Sequence, residues 1–408
     1  MNIKRYIIVL LSIVMVIGAW AQNATSSPSS RFGYGELNDN LPGAYRAMGG
    51  VGLGMRSNKA INSAQPASYT ACDSLTFMFD IAGSFLYTSY GDSYGKRSRM
   101  NGNLEYVTLQ FPLWRQYIAL SAGVTPYSAM GYELSESGVV DSAYHYTHTY
   151  SGEGGFTQVY GGLSFNICNW VALGANVYYM FGDMTKIRSQ YFAESDVKGA
   201  SQKDYLRVNS LRVRYGLQFF HTFGKHTVVL GGVFENKQRF SRSEYLQLET
   251  TTNDTVSVMS NCFEMPMTYG AGASYNYADR LTVGLDYQRQ DWSNTLYFDA
   301  TSKLRNRDRW SLGVEYRHDP TSRNYVDRMC WRLGANYTTS YAMNQSMPEF
   351  GVSAGLGLPL RTIGTVINAT VEYVHRGAMS GKDLLSENSL RLVVNASIAE
   401  HWFFKRKL

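Results

Sequence analysis

The sequence predicts an all-β protein: a 14-stranded antiparallel transmembrane β-barrel of a bacterial outer membrane, with an N-terminal hatch in its lumen. Three observations predict this fold: an export signal, segments in which apolar and polar residues alternate, and loop lengths that sort by strand parity. Alternation with period two places neighbouring side chains on opposite faces of a strand. In a membrane barrel one face meets lipid and the other a polar lumen.

The first 21 residues have the pattern of a secretory signal peptide. Lys4 and Arg5 precede an apolar stretch that ends at Ile17, and Gly18–Ala21 supplies the small residues of a cleavage site. The alternative, a membrane anchor, needs roughly 20 apolar residues. Because the stretch is shorter and no Cys follows it, we expect cleavage after Ala21 and neither an anchor nor a lipoprotein.

The composition agrees with a barrel. Hydrophobic residues make up 44% of the chain, and Tyr is frequent at 31 residues, as aromatic girdles require. The net charge of +6 is too small to predict a nucleic-acid partner. The spacing of the four cysteines leaves their disulfide state open: Cys72, Cys168, Cys262 and Cys330.

Fourteen segments alternate as strands do. In Leu281–Gln290 the apolar residues Leu281, Val283 and Leu285 are separated by polar or small ones. An even strand count returns the chain to the side where it began. The predicted strands are 75–88, 102–112, 117–126, 155–166, 171–183, 205–221, 226–238, 265–276, 281–292, 309–317, 330–338, 350–358, 365–374 and 389–404.

Connection lengths give an independent argument. After even-numbered segments the connections are short, as in 113–116 and 277–280, with 318–329 as the longer exception. After odd-numbered segments they are long, as in 127–154 and 239–264. Short periplasmic turns and long outer loops are typical of outer-membrane barrels. We therefore expect both termini in the periplasm.

The chain divides into a signal peptide (1–21), a segment that does not alternate (22–74) and the barrel (75–408). About fifty residues are too few to bury a good core alone. A lumen enclosed by fourteen strands is wide enough to hold them. We expect residues 22–74, named the hatch, to fold up into the lumen.

The hatch and two barrel segments resemble the FadL/TodX-type outer-membrane channels for long-chain fatty acids and other hydrophobic compounds. The hatch residues that carry the resemblance are Gly43, Tyr45, Arg46, Gly49, Gly50, Gln65, Pro66 and Ala67. Gln65 stands where the family has Asn. At the end of the third strand the matching residues are Gly123, Pro126 and Tyr127, and Gln290–Ser293 also resembles the family.

The resemblance implies passive transport of a hydrophobic small molecule through an apolar pocket between hatch and wall. Release would be lateral, near a kinked third strand around Pro126. Residues 184–204 are mostly polar, unlike the family's apolar loop projections, so the substrate need not be a fatty acid. Pro126 has no N–H for strand pairing and is confined to edges and bulges. It therefore marks either the exit or simply the end of the strand.

Charged residues are expected on the lumenal faces of the strands. They could form a selectivity ring or pair with one another and with the hatch, and we favour pairing because unpaired charge is costly in a poorly hydrated lumen. The predicted lumenal charges are Asp80, Arg212, Arg214, Asp286, Glu315, Arg332, Glu372 and Arg391.

Catalytic and metal motifs are weak, so neither an enzyme nor a cofactor or metal is expected. Gly351–Gly355 matches G-x-S-x-G, but it lies inside an alternating segment instead of a strand-turn-helix context. His145 and His148 could offer two imidazoles, yet the sequence places no third ligand nearby.

Two other functions stay open beside hydrophobic transport. A non-transporting barrel could serve as a docking or shuttle subunit of a protein-secretion system, which a large, ordered loop surface without an apolar pocket would favour. A general polar porin would leave residues 22–74 without a role. The expected partners are a hydrophobic ligand, outer-membrane lipid and lipopolysaccharide, and the barrel-assembly machinery that reads the terminal aromatics Trp402–Phe404. We expect a monomer.

Overall fold

The computed structural model describes twelve stretches of the chain. They are residues 25–39, 41–91, 95–140, 144–193, 199–251, 253–260, 263–297, 300–301, 304–341, 347–360, 364–377 and 386–401. The predicted signal peptide, Cys262 and the terminal aromatics Trp402–Phe404 lie outside these residues. No helix in the described stretches is long and apolar enough to cross a membrane.

Fourteen antiparallel strands form a closed barrel, which confirms the predicted fold class. Each strand pairs with the next, and β1 pairs with β14 along its whole length. The strands are β1 Thr76–Gly91, β2 Lys96–Trp114, β3 Ile118–Val140, β4 Tyr144–Cys168, β5 Val171–Phe192, β6 Ala200–Phe223, β7 His226–Glu235, β8 Thr268–Tyr277, β9 Leu281–Gln290, β10 Arg307–Tyr316, β11 Cys330–Thr338, β12 Glu349–Pro359, β13 Val366–Arg376 and β14 Ser386–His401.

Burial alternates along the strands as the sequence pattern predicts. In β1, Asp80 and Ser84 are buried whereas Phe85 is 63% exposed on the outer face. Outward side chains of this kind suit lipid, and inward ones meet the hatch. We refer to the end where β1 starts as the turn end and to the opposite end as the loop end.

Several predicted loops are wrong, because they consist largely of strand, among them 127–154 and 184–204. β3, β4, β5 and β6 contain 23, 25, 22 and 24 residues, whereas about 9–11 residues cross a membrane. Their pairing continues past the membrane to Val140↔Tyr144 and Gln190↔Ala200. The polar composition of these stretches predicted loops, yet neighbouring strands satisfy each other's backbone there.

A hairpin extends this sheet further at the loop end. Its first strand, Arg242–Thr251, pairs with β6, and its second, Asn253–Ser260, pairs with the first. The loop-end parts of β3–β6 together with the hairpin form one sheet that rises from one side of the barrel. We name this sheet the crown; it comprises residues 128–140, 144–155, 183–192, 200–209, 242–251 and 253–260.

Short elements complete the described structure. The single helical turns are Pro28–Arg31, Gly43–Arg46, Pro66–Ala71, Trp292–Asn294 and Tyr325–Arg328. The two-residue strands are Glu36–Leu37, which pairs with β3, Gln238–Arg239 with Glu264–Met265, and Leu296–Tyr297 with Ala300–Thr301.

The hatch runs once from the loop end to the turn end. Ser29 N donates to Glu387 Oε1 at 2.7 Å near the loop-end start of β14. Thr70 Oγ1 donates to Asn166 Oδ1 at 2.7 Å near the turn-end finish of β4. The described part of the hatch therefore begins, at Thr25, near the loop end, and the last described strand finishes, with His401, at the turn end.

Candidate functional site: the hatch, the seam and the lumenal chamber

The β2–β3 ladder is incomplete, and we name this break the seam. Pairing between the two strands begins near the turn end and stops at Val107↔Val124, although both strands continue towards the loop end. Pro126 follows two residues later, and Tyr127 is bulged out of the β3–β4 ladder. A Cβ at Gly123 would lie 2.6 Å from the Val107 carbonyl oxygen, so the position next to the last pair needs glycine.

The first residues of the hatch lie against the seam. Glu36 and Leu37 pair with Ala129 and Ser128 of β3, and Asn38 N donates to Tyr127 O at 2.8 Å. On the β2 side, Ser26 is hydrogen-bonded to Asn101. Residues 25–38 therefore provide, from inside the barrel, hydrogen-bond partners for the parts of β2 and β3 that do not pair with each other.

A carboxylate on β9 holds the middle of the hatch. Asp286 Oδ2 accepts the backbone N–H groups of Gly52 and Leu53, each at 2.6 Å, and Oδ1 accepts that of Gly54 at 3.3 Å. A Cβ at Gly54 would lie 2.7 Å from Ala273 backbone atoms, so only glycine fits there. Asp286 is one of the predicted lumenal charges, and its contact is with hatch backbone.

The Gly/Ala-rich motif of the hatch packs tightly against the wall. Gly49 and Gly50 have φ of +68° and +83°, which glycine adopts without strain. Gly49 N donates to Ser353 Oγ at 2.9 Å. Tyr45 is buried in a small apolar cluster of the hatch itself, and Gly43 N donates to Tyr106 Oη at 2.8 Å.

Gln65, which replaces the family's Asn, connects hatch and barrel. Its amide nitrogen donates to Leu53 O at 3.2 Å and to Gly232 O at 3.1 Å. Its amide oxygen accepts from Ala67 N and so caps the helical turn that Pro66 begins. The Gln side chain, which is longer than that of Asn, thus makes hydrogen bonds both to the hatch and to the barrel wall.

The predicted lumenal charges have polar partners in the structure. Besides Asp286, these contacts are Asp80 with Asn395 and Ser397, Arg212 and Arg214 with Glu235, Arg332 with Glu315, and Glu372 with Arg46 and Arg391. Sequence analysis missed Glu235 and Glu105. Glu235 continues the inward alternation of β7, so its position could have been predicted from the pattern.

A cavity of about 340 Å³ lies between the hatch and the wall beside the seam. Pro126 and Ser128 form part of its lining. The resemblance implied an apolar pocket between hatch and wall; the lining of this chamber is mixed, with apolar residues such as Leu41 and Val352 beside charged ones. Its lining includes five carboxylates and five guanidiniums: Glu36, Asp39, Glu105, Glu349, Glu372, Arg46, Arg307, Arg309, Arg376 and Arg391.

The chamber charges form a network of ion pairs. Arg376 contacts Glu349 at 2.7 Å and Glu36 at 3.1 Å, and Arg46 contacts Glu105 at 2.8 Å. Burial alone would raise the pKa of Glu36, but the guanidiniums of Arg376 and Arg391 outweigh it and lower the pKa to about 2. Glu36 therefore stays ionised at neutral pH and holds the hatch to Arg376 of β13 and Arg391 of β14.

Towards the loop end the hatch inserts an aromatic side chain into an apolar cluster. Tyr34 is 1% exposed, and its ring centroid lies 5.4 Å from that of Tyr297 and 5.6 Å from that of Trp292. Gly33 and Gly35, with φ of +53° and +83°, form the turn that presents it. Further ring contacts come from Phe156, Phe240 and Phe263.

The sequence motifs that suggested catalysis or metal binding lie within strands of the barrel. Gly351–Gly355 lies within β12, so the nucleophile-elbow context is absent from this described strand. His148 lies between the rings of Tyr146 and Tyr150 on β4. In the described part of the chain, no three His, Cys, Asp or Glu residues are grouped to hold a metal.

A closed barrel of fourteen strands with an N-terminal segment against its inner wall is the fold that FadL-type outer-membrane barrels have. The chain belongs to the BamG family, whose model matches residues 2–408. No curated protein sequence matches the chain.

Three solved structures show the likeness of fold. The toluene transporter TodX of Pseudomonas putida has a TM-score of 0.61 and 13% identity, over 90% of this chain and all (100%) of that one. The toluene transporter TbuX of Ralstonia pickettii has a TM-score of 0.60 and 13% identity, over 88% of this chain and 97% of that one. The monoaromatic hydrocarbon channel CymD has a TM-score of 0.59 and 15% identity, over 89% of this chain and 98% of that one. At such identities the likeness concerns the fold.

Proposed function

We propose that this protein is a non-transporting FadL-type barrel that serves as a docking subunit of a protein-secretion system in the outer membrane. The observation that carries the proposal is the charged chamber beside the seam, together with the ordered crown above it. A docking barrel needs an ordered outer surface and no apolar passage. From the sequence, a large, ordered loop surface without an apolar pocket was the observation expected to favour a docking subunit over a transporter.

The chamber opposes passage of an apolar solute. Such a solute gains about 25 cal/mol per Å² only when its surroundings are themselves apolar. Here it would meet the Arg376, Glu36 and Glu349 ion pairs. Displacing one partner of a buried pair leaves an uncompensated charge, at about 3–5 kcal/mol. Closer to the loop end, the apolar cluster already holds Tyr34.

The hatch is the plug of this proposed barrel. Its hydrogen bonds to Asp286, Ser353 and Thr370 hold it against β9, β12 and β13. A general polar porin would leave these contacts without a role. Lipid and lipopolysaccharide are then the surroundings of the outer face, and no reaction or cofactor is needed.

Uptake by reconstituted protein tests the proposal. Proteoliposomes with lipopolysaccharide in their outer leaflet, which slows unassisted entry of apolar solutes, are mixed with a fluorescent long-chain fatty acid or with toluene, and entry is followed against matched protein-free liposomes. We expect equal rates, because the charged side chains of the chamber oppose passage of an apolar solute. Saturable, protein-dependent entry would refute the docking function and restore transport.

A second candidate, transport of a hydrophobic small molecule with lateral exit, is favoured by the seam itself. Residues 25–38 are the barrier there, so a shift of the hatch would open the wall near Gly123, Pro126 and Tyr127. Arg99 and Glu133 face each other across the seam at 3.2 Å and are both exposed. Cysteines at these two positions, joined by a short thiol cross-linker, would block uptake if the seam is the exit. Uptake that is unchanged by the staple would remove the lateral route.

A further inference from the structure

The outer strand of the crown hairpin, Asn253–Ser260, has an open edge. On one side it pairs with Arg242–Thr251. On the other side, within the described residues, it pairs with no strand. An open edge presents a row of backbone N–H and C=O groups that match another extended chain.

Apart from Asp254 near its start, this strand lacks the features that normally protect an edge. Residues 255–260 read Thr-Val-Ser-Val-Met-Ser, with neither charge nor proline. Natural edges are blunted by charges, proline, bulges or short length. The crown's other edge, the loop-end part of β3, follows that rule, because it carries Glu133 and Glu136, and Glu133 pairs across the seam with Arg99 of β2.

The two faces of the strand differ. Met259 packs inward against the aromatic cluster around Tyr34. Val256 and Val258 are 54% and 64% exposed on the outer face. Val258 stands opposite Leu246, which stands opposite Tyr205 of β6, so an added strand would extend a row of three apolar residues.

We propose that this edge docks an extended segment of a partner protein by β-strand addition, with apolar residues at alternate positions and basic residues at its flanks. The inference rests on the docking function and names the chemistry of its partner. Main-chain hydrogen bonds would give the affinity, and the row ending at Val258 and Val256 the side-chain preference. The hairpin sequence contains three acidic residues and one basic, which favours basic flanks: Glu244, Glu249, Asp254 and Arg242.

A second copy of the chain fits this edge less well. Asn253–Ser260 runs from the hairpin tip back towards the barrel, and it does so in every copy that stands upright in the same membrane. An antiparallel partner strand must run away from the barrel. Two upright copies therefore do not present their identical strands in that orientation.

A labelled model peptide tests the proposal. The probe is a short peptide of alternating valine and threonine with a lysine at each end, and its binding to the full-length protein in detergent is measured by fluorescence anisotropy. We expect saturable binding that weakens at least about tenfold in the V256K/V258K double variant, since lysine protects edges. The matched control is M100K/V139K, which adds the same charge at exposed positions of β2 and β3 near the loop end and should bind as the parent does.

A second peptide with a central proline, which cannot complete the backbone pairing, should not bind. Equal binding of the proline peptide, or equal weakening in both double variants, would overturn the proposal. So would a homodimer that V256K/V258K dissociates, because the occupant would then be a second copy. If the peptide does not bind and the protein shows no apolar uptake, the docking function would remain but would need a different surface. If apolar uptake is observed, the docking function itself is refuted.

Discussion

At the scale of single residues, the hatch is held by buried polar groups aimed at its backbone. Asp286 and Gln65 each make several such bonds. The sequence predicted that Asp286 faces the lumen, because its strand alternates clearly. It could not predict that the partners are the N–H groups of Gly52–Gly54, since this pairing depends on where an irregular segment passes.

We expect Asp286→Asn to loosen the hatch without unfolding the barrel. The amide nitrogen would face backbone donors, and each buried donor left without a partner costs about 1–3 kcal/mol. Limited proteolysis of the detergent-solubilised protein should cut residues 22–74 faster in the variant. The control is Glu133→Gln, which neutralises an exposed carboxylate. An unchanged cleavage rate would mean that the other hatch contacts suffice.

Attachment of the hatch should depend on pH through Glu36. Its pKa is lowered from 4.5 to about 2 when the hatch is in place. A lowered pKa adds stability that is full above pH 4.5 and is lost as the pH falls through about 2. Protection of the hatch amides is measured by hydrogen exchange from about pH 6 to about pH 2, a range that spans both pKa values. In the parent protein this protection should fall as the pH is lowered. Glu36→Gln should be less protected at pH 6 and show a smaller fall; an identical profile would exclude Glu36 as the source.

At the scale of elements, the barrel strands were predictable and the crown was not. Alternation located β9 and β11 to within a residue or two of their ends. Alternation stops being informative where a strand leaves the membrane, because both faces are then partly solvated. Tyr144–Gly155 therefore reads as a polar loop although each of its residues is paired. Long-range pairing such as Glu36↔Ala129 leaves no local signal either.

Deletion of residues 22–74 should give a barrel that still inserts. Strand pairing closes from β1 to β14 without the hatch, and closure satisfies the backbone in lipid. The lumen should then admit polar solutes, which is measured by antibiotic sensitivity of cells that carry the deletion. Heat-modifiable migration on gels controls for insertion. Unchanged permeability in a well-inserted barrel would contradict the plug role.

At the scale of the whole molecule, the proposed orientation places the crown outside the cell and the short turns in the periplasm. Tags in 127–154 and 239–264 should be labelled on intact cells, and a tag at 277–280 should be labelled only after permeabilisation. The basis is that bacterial barrels have short periplasmic turns, and Ala278–Arg280 is such a turn. Labelling of 277–280 from outside would reverse the orientation, and with it the side on which a partner docks.

The central claim, a docking subunit with a sealed interior, is tested most directly by the mass of the protein as it leaves its native membrane. The tagged full-length chain is extracted in mild detergent and its particle mass is measured. We predict a hetero-assembly that contains this chain and at least one other protein, with the hatch retained. A monomer or a homo-oligomer under every mild extraction condition would contradict the account.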